Sequence, residues 1–363
     1  MWRGIQHNNT AQKWLSFFTF LCTLYITPFM LGYAGWYSGG IYREILFYVP
    51  FQQLFLIPPV LYFYVRSLLD QTFSFQRKDW LHFIPAVLYL LYTLIIFISD
   101  QWLTEEVFFY KDGRDKDFDL WYQLLGFLSL TIYLTASLRV YKKYKGLSYA
   151  TLSFADSVLF KWAERFLTAF VLLLGIRLLF FILNPEWAEF GRKFWYYLSF
   201  SGLFYFISIN GYNNNIRSAT SFRILEEPIH QDTSALISEH EGPAEQIPDL
   251  EKRKEQISLL MTEQKLYEDP LLTITIVADR LGTHSKKVSQ IINLGFGMNF
   301  NDYINTYRIE SVIQKIDAGE ISSQTIMGLA YDAGFNSKST FNRAFKRLKN
   351  MTPKEYVDKK AKK

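Results

Sequence analysis

The chain has 363 residues, a length that favours two or three domains over a single hydrophobic core. Its charge is uneven: residues 1–223 carry 20 Lys+Arg and 14 Asp+Glu (net +6), residues 224–275 carry 4 and 12 (net −8), and residues 276–363 carry 15 and 8 (net +7). The single cysteine, Cys22, excludes a disulfide framework or a thiolate metal cluster within one chain. A basic terminal segment behind an acidic stretch is typical of a segment that binds a polyanion.

Six apolar runs approach the length of about 20 residues that a helix needs to cross a bilayer. They are Trp14–Tyr33, Ile45–Val65, Trp80–Ile98, Leu120–Val140, Phe166–Leu183 and Phe194–Ile209. Tryptophan and tyrosine lie near many of the ends, as they do at membrane interfaces. Buried helices of a large soluble protein are the alternative, but six such runs leave no polar helix faces to cover them. We therefore predict a six-helix transmembrane bundle in residues 1–212.

The distribution of Lys and Arg predicts the orientation of this bundle. With the N-terminus in the cytoplasm, eleven Lys/Arg residues lie on the cytoplasmic side of the spans and six on the opposite side. An even number of spans then returns the chain to the cytoplasm. We expect a multi-pass protein of the cytoplasmic membrane with both termini in the cytoplasm.

A polar stretch rich in helix breakers follows the last apolar run. It begins near Gly211 and includes three consecutive asparagines, Pro228, Gly242-Pro243 and Pro248. Residues 213–248 are therefore predicted to be a cytoplasmic linker, and a flexible chain of this length would span roughly 35 Å. The remaining residues, 249–363, are predicted to form a separate domain.

One local pattern occurs twice within residues 249–363. An alanine is followed four positions later by a glycine, first as Ala278 and Gly282 and then, 52 positions later, as Ala330 and Gly334. The small alanine allows a second helix to cross close over the first, and the glycine fits the sharp turn between them. Each copy is followed by a basic amphipathic helix. The pattern predicts two helix-turn-helix units.

The stretch between the two units is predicted to be one connecting helix. Apolar side chains repeat with helical spacing from Asn301 to Ala318, which gives a helix of about 27 Å. A helix of this length can hold two recognition helices about 34 Å apart, one turn of B-form DNA. The two units would then enter successive major grooves on one face of a duplex.

Residues 250–358 resemble the DNA-binding domain of the AraC/XylS family of bacterial transcription regulators. The matching elements are Leu281-Gly282, Phe296-Gly297-Met298-Asn299-Phe300, Tyr303, Arg308, Ala330, Gly334-Phe335, Phe341, Phe345, Thr352-Pro353 and Tyr356. The resemblance covers about the last third of the chain and implies seven helices, two recognition helices and promoter binding. The chain departs from the family at Asn350, where glycine is usual, and at Val357, where a basic residue is usual. Asparagine tolerates the left-handed conformation at a helix end. The membrane region is similar to that of membrane-anchored members.

The outward faces of the two recognition helices supply the candidate DNA-binding residues. The helical pattern turns Val288, Ile291, Ile292, Phe341, Phe345 and Leu348 toward the core. It leaves outward Lys286, Lys287, Ser289, Gln290 and Asn293 on the first helix, and Lys338, Ser339, Asn342, Arg343 and Lys346 on the second. Arginine suits guanine edges and asparagine or glutamine suits adenine edges, so Arg343, Asn342 and Gln290 are candidate base readers. The lysines are expected on phosphates. The alternative is that these are ordinary solvent-exposed helix faces without a binding role. The lysines after Asp358 are expected to form a solvated chain end.

Two features of the predicted membrane region are candidate ligand sites. Arg177 lies near the middle of the fifth predicted span, where a charge is costly, so it is either structurally paired or part of a site for an anionic ligand. The run from Asp115 to Asp119 imitates the start of a calcium loop but has Leu120 at the position of the required glycine and Gly126 at that of the required glutamate. A solvated acidic loop is the favoured interpretation.

The sequence predicts an all-α protein that regulates transcription from the membrane. No metal or cofactor site and no enzymatic activity are expected, because the five histidines are scattered and no phosphate-binding glycine loop occurs. The expected partners are promoter duplex DNA, the lipid bilayer, a signal ligand whose identity the sequence does not give and, through dimerisation, a second copy of the chain. The alternative is a transporter or lipid-binding membrane protein whose C-terminal domain only binds other proteins.

Overall fold

The computed structural model describes residues 10–70, 73–103, 109, 115–158, 161–183, 194–221 and 249–361. The chain divides into two compact units, which are described separately. The first unit contains Met1–Tyr141 and Phe160–Arg223, and the second contains Lys142–Leu159 and Ile224–Lys363. Throughout the described ranges the regular elements are helices, with one isolated antiparallel bridge between Leu152 and Thr273. The expected all-α fold is confirmed.

Helices of the first unit follow the predicted apolar runs closely at most positions. They are α1 (Thr10–Tyr33), α2 (Gly40–Tyr48), α3 (Ile57–Leu69), α4 (Ile84–Ile98), α5 (Leu120–Thr151), α7 (Lys161–Leu183) and α8 (Phe194–Ser221). Helix α5 continues past Tyr141 into the second unit. The short helix α6 (Ala155–Val158) also belongs to the second unit. Among the residues that the structure describes, three helical stretches are long and apolar enough to cross a membrane, namely Thr10–Tyr33, Arg77–Leu103 and Leu120–Thr151. Ile57–Leu69 is apolar but shorter.

The second predicted span is not one continuous helix, so that prediction is wrong. Helix α2 ends at Tyr48, helix α3 begins at Ile57, and the backbone between them is irregular. Pro50 explains the interruption, because proline lacks an amide hydrogen and disfavours helical geometry in the residue before it. The buried amides of this break are satisfied by side chains: Gln52 N donates to Asp117 Oδ2 (2.8 Å) and Leu54 N donates to Tyr122 Oη (3.0 Å).

The start of the predicted linker is also helical. Helix α8 runs without interruption to Ser221, although the sequence from residue 213 is polar and predicted to be irregular. Extending an existing helix costs little compared with nucleating one, because each added residue closes a new hydrogen bond to the preceding turn. Residues 222–248, the rest of the predicted linker, lie outside the described residues.

The second unit contains the seven helices expected from residue 250 onward. They are α9 (Leu250–Thr262), α10 (Ile274–Arg280), α11 (Ser285–Phe296), α12 (Phe300–Asp317), α13 (Ile326–Asp332), α14 (Lys338–Lys349) and α15 (Pro353–Ala361). Helix α12 is the predicted connecting helix, displaced by one residue. Its first half packs Phe300, Tyr303 and Ile304 into one apolar core, and its second half packs Val312 and Ile316 into another. One helix therefore joins two cores, each belonging to one helix-turn-helix unit.

The four small residues that predicted the turns occupy the expected positions. Ala278 and Ala330 are buried at 1% and 0% exposure, so each lets the following helix approach closely. Gly282 has φ +60° and Gly334 has φ +90°, both in the left-handed region that favours glycine. The two glycines differ in their surroundings. A Cβ on Gly282 would meet nothing within 4 Å, whereas on Gly334 it would lie 2.8 Å from the carbonyl oxygen of Glu268.

This difference predicts unequal effects of the same substitution. Gly282→Ala should cost about 1–2 kcal/mol of stability, the penalty of a left-handed non-glycine residue. Gly334→Ala should cost clearly more, because the backbone of the 267–268 turn must also move. Chemical denaturation of the purified fragment Asp249–Lys363, followed by circular dichroism at 222 nm, compares the two. Equal loss at both positions would contradict the close approach at Gly334.

Candidate nucleic-acid interface

The first helix-turn-helix unit consists of α10 and α11. Thr273 begins α10 by accepting a hydrogen bond from Ile276 N through its hydroxyl, which satisfies one of the amides that a helix start leaves free. On α11, Val288, Ile291 and Ile292 are buried, as predicted. The candidate contact residues on this helix are partly or fully exposed at Lys286, Lys287, Gln290 and Asn293.

Ser289 does not point outward, so its predicted orientation is wrong. Its exposure is only 7%. Residues three apart on a helix are neighbours, and Ser289 therefore shares its side of α11 with the buried Ile292. The short serine side chain is covered together with that residue. Ser289 is therefore not a candidate DNA contact.

The second unit consists of α13 and α14. Ser337 begins α14 with its hydroxyl accepting from Thr340 N (3.2 Å), and Asn350 ends it in the left-handed conformation with φ +56°. Phe341 and Phe345 are buried, and the five predicted contact residues on this helix, Lys338, Ser339, Asn342, Arg343 and Lys346, are exposed. The second recognition helix thus presents its polar side to the surface.

Leu348 is 37% exposed, which contradicts its predicted burial. The residue lies in the last turn of α14, just before the chain leaves the helix at Asn350. The core beneath this turn is already filled by Phe345, whose ring packs edge-on against Tyr356 of α15 with centroids 5.6 Å apart. Leu348 is left at the rim of that core.

Two arginines on one side of α14 face carboxylates. Arg343 forms an ion pair with Asp156, and Arg347, one turn further along the helix, pairs with Asp302 at 2.6 Å. Asp302 belongs to helix α12. Asp156 comes from the short stretch between α5 and α7, so it lies far from α14 in the sequence. Neither carboxylate was expected from the sequence beside a recognition helix.

Asp156 is held there by a segment that packs deeply into the second unit. We call residues 152–156 the docking segment; all five are buried. Ser153 N donates to the carbonyl oxygen of Leu272 (3.1 Å), and Leu272 lies two residues before the start of α10. Asn301 Nδ2 of α12 donates to the carbonyl oxygens of Leu152 (3.2 Å) and Ser153 (2.9 Å). The docking segment therefore contacts both the first helix-turn-helix unit and the helix that joins the two units.

Arg308 of α12 forms the centre of this arrangement. It is 1% exposed, and its guanidinium donates to the carbonyl oxygens of Tyr267 (2.7 Å) and Asp269 (2.7 Å). It also donates to the backbone oxygen (3.3 Å) and the hydroxyl (3.0 Å) of Ser153. Burial lowers the pKa of Arg308 to about 9, partly offset by the charge of Asp269, so the group stays protonated at neutral pH. These four acceptors offset the cost of burying the cation, and two of them, from Tyr267 and Asp269, lie within residues 249–363.

Arg177, the candidate ligand residue of the first unit, is 6% exposed. Its guanidinium donates to Gln123 Oε1 (2.9 Å) and Gln123 O (3.4 Å). Gln123 in turn donates to Gln52 Oε1 (2.8 Å), in the break between α2 and α3. Arg177 also lines a small cavity of about 30 Å³ together with Tyr25, Tyr196 and apolar side chains. The arginine is thus part of a buried polar cluster built around the broken helix.

The acidic run beside this cluster is buried, which corrects the expectation of a solvated loop. Asp115 and Asp117 are 7% and 3% exposed. Asp117 accepts hydrogen bonds from Tyr89 Oη (2.5 Å) and from Gln52 N (2.8 Å). Carboxylates can be buried when such donors surround them. Arg177, the acidic run and isolated glutamines and tyrosines in apolar runs were signs of this cluster in the sequence, but they did not reveal which residues meet.

Comparison with known proteins agrees with the geometry of the C-terminal region. The family described as a helix-turn-helix domain matches residues 277–359. Uncharacterized HTH-type transcriptional regulators of Staphylococcus aureus, from strains COL and MW2, are each 31% identical over 94 residues. The match covers 26% of this chain and 12% of each relative, so the chain spans about an eighth of the length of these relatives.

No solved structure matches this chain significantly. The matched residues include both turns, the connecting helix α12 and the second recognition helix α14. The C-terminal region of this chain, residues 277–359, is thus similar to helix-turn-helix domains of the AraC type.

Proposed function

We propose that this protein is a membrane-anchored transcription regulator that binds promoter DNA through its two helix-turn-helix units. The observation that carries the proposal is the polar surface of α14, where Lys338, Asn342, Arg343 and Lys346 are exposed while the opposite side is buried in the second core. These are side chains that bind base edges and phosphates. The names of the related staphylococcal regulators support the same class of function.

Membrane anchoring is supported by the surface of the first unit. Large apolar side chains are exposed along α4, among them Leu88 (60%), Leu91 (49%) and Ile95 (63%). Soluble proteins rarely expose continuous apolar surfaces of this kind, whereas lipid covers them without cost. Together with the three helices of the described ranges that are long enough to span a bilayer, this favours a multi-pass membrane domain.

The docking segment supports the proposed topology. In the six-span arrangement, the connection between the fourth and fifth spans lies on the cytoplasmic side, as does everything after the sixth. The docking segment belongs to that connection, and it packs against helices of the C-terminal domain. Both must then lie on one side of the membrane, which the charge asymmetry makes the cytoplasm.

We place the signal-sensing site of this regulator at the buried polar cluster around Arg177. The cavity beside Arg177 lies within the apolar bundle, and the hydrogen bonds of the guanidinium in the described part of the chain go to a neutral partner, Gln123. A buried cation without a carboxylate acceptor suits an anionic ligand group. Signal binding there would alter the bundle and, through it, promoter binding or dimerisation.

Base reading and phosphate binding should separate on α14. In the fragment Asp249–Lys363, Arg343→Ala should cost about 1–3 kcal/mol at the preferred site and relax the preference at one base position. Lys346→Ala should weaken all duplexes alike and lower the salt slope by about one unit. Fluorescence anisotropy across a salt series measures both, and circular dichroism confirms folding. An Arg343→Ala variant that kept its full sequence preference would contradict the assignment.

Topology can be tested in cells. A reporter that is active only outside the cytoplasmic membrane, fused after Gly242, should be silent, and a reporter that is active only in the cytoplasm should give signal there. A fusion after Lys111, in the second outward loop of the six-span arrangement, is the matched control and should behave in the opposite way. The same result at both fusion points would refute the arrangement.

A ligand role for Arg177 predicts that the arginine destabilises the empty protein. Arg177→Gln removes the buried charge but keeps a hydrogen-bond donor, so the melting temperature should rise by about 2–4 °C for each kcal/mol gained. Gln123→Leu removes the side chain that bonds to Arg177, to Gln52 and to the carbonyl oxygen of Asp117, so it should lower the melting temperature. All nine tryptophans lie before residue 196, so tryptophan fluorescence in detergent reports on this unit. A lower melting temperature for Arg177→Gln would assign the arginine a structural role.

A further inference from the structure

We propose that the docking segment restrains DNA binding, because Asp156 forms an ion pair with Arg343, a residue that must contact the duplex. This inference rests on the proposed function and names how that function is regulated. The segment follows α5, the fourth predicted span, directly in the chain. It thereby provides a covalent route from the membrane helices to the recognition helix.

The docking segment is held in place by contacts that do not involve the recognition helix. Ser153 is fully buried, and Arg308, Asn301 and Leu272 all bond to it. An antiparallel bridge joins the neighbouring Leu152 to Thr273. These contacts fix the backbone three residues before Asp156. The position of the Asp156 carboxylate is therefore determined by the anchoring of Ser153.

The carboxylate of Asp156 is placed to compete with DNA. Its side chain is 7% exposed, and besides Arg343 it accepts a hydrogen bond from the hydroxyl of Tyr149 on α5. Arg343 itself is 52% exposed, so one part of its guanidinium meets Asp156 while the rest faces outward. An arginine bound to a carboxylate cannot at the same time present the same donors to a guanine edge or a phosphate. A fixed negative charge beside α14 also repels the DNA backbone.

Asp302 differs from Asp156 in a way that matters for regulation. Asp302 pairs with Arg347 but lies on α12, inside the DNA-binding domain, so this pair is part of the domain in every state. Asp156 comes from the connection between two predicted spans and can leave only if the docking segment moves. Movement of α5 in response to a signal would pull on this segment. Release of Asp156 would then free Arg343 for DNA.

Restraint of this kind makes the apparent affinity for DNA proportional to the fraction of molecules in which Arg343 is not paired with Asp156. Coupling between two sites is typically worth about fivefold or more in affinity. Asp156→Asn keeps the shape of the side chain and removes the charge, so it should raise the affinity of the full chain for DNA at least about fivefold. Asp317→Asn is the matched control, since it removes an acid of the same unit that pairs with Lys360 and not with a recognition helix.

The experiment uses the full chain in nanodiscs of phosphatidylethanolamine and phosphatidylglycerol. The probe is a 40-base-pair duplex selected on the Asp156→Asn variant from a random-sequence library, and fluorescence anisotropy gives the affinities. We expect tighter binding for Asp156→Asn and a change below about twofold for Asp317→Asn. Equal affinities for wild type and Asp156→Asn, or the same gain for both variants, would overturn the restraint.

A double-mutant cycle identifies the residue through which Asp156 acts. In an Arg343→Ala background, Asp156→Asn should have no effect beyond about twofold, because the restrained group is already absent. A retained gain would show that Asp156 acts elsewhere and would overturn the proposal. Failure of every variant to enrich any duplex would instead overturn the proposed function, which separates the two failures.

A milder variant keeps the test decisive if Asp156→Asn does not fold. Tyr149→Phe removes only the hydroxyl that donates to Asp156 and leaves the aromatic ring in place. The carboxylate is then held less firmly, so DNA affinity should rise by about twofold to threefold. Circular dichroism of both variants reports folding. Unchanged affinity in a folded Tyr149→Phe protein, with Asp156→Asn unfolded, would count as refutation.

Discussion

The buried guanidinium of Arg308 is the interaction on which the arrangement of the second unit depends. A charge removed from water is costly unless its donors are bonded, so the chain must bring several acceptors to this point. It does so from two places: the turn at Tyr267 and Asp269, and the docking segment at Ser153. Arg308 also lies over the ring of Phe335, 5.8 Å from its centroid, at the turn of the second unit. One side chain thereby connects both helix-turn-helix units to the connection between two predicted spans.

The same principle shapes the first unit. Irregular backbone is tolerated at membrane depth only where protein groups satisfy its amides and carbonyls. The break between α2 and α3 meets this condition through Asp117 and Tyr122, and Gln52 extends the network to Gln123 and Tyr197. Arg177 enters this network through Gln123. Pro50, which interrupts the helix, and Arg177, which stands out in the sequence for its charge, therefore lie at the same buried polar cluster.

Features determined by local spacing could be predicted from the sequence. The paired alanines and glycines predicted two helix-turn-helix units, and the repeat of apolar residues placed α12 within one residue of its observed ends. Burial of Phe341 and Phe345 followed from the same periodicity. Ser289 and Leu348 were placed wrongly, because the burial of one small residue and of one helix-end residue depends on how neighbouring helices cover them.

Features determined by contacts between distant residues could not be predicted. The burial of Asp117 depends on Tyr89 and Gln52, which lie in other helices or loops. The docking segment reaches Arg308 from 155 positions away, and Asp156 is 187 positions from Arg343. Apolar periodicity carries no information on such pairs. A single charged residue in an apolar run, such as Arg177, indicates that a partner is needed but does not identify it.

We propose that α12 holds the two recognition helices so that they enter successive major grooves on one face of a duplex. Hydroxyl-radical footprinting of the fragment Asp249–Lys363 on a duplex selected from a random library tests it most directly. We expect two protected regions on one face of the DNA, centred about 10 base pairs apart, with a binding constant that falls steeply with salt. A single protected region, or protection that does not depend on salt, would contradict it.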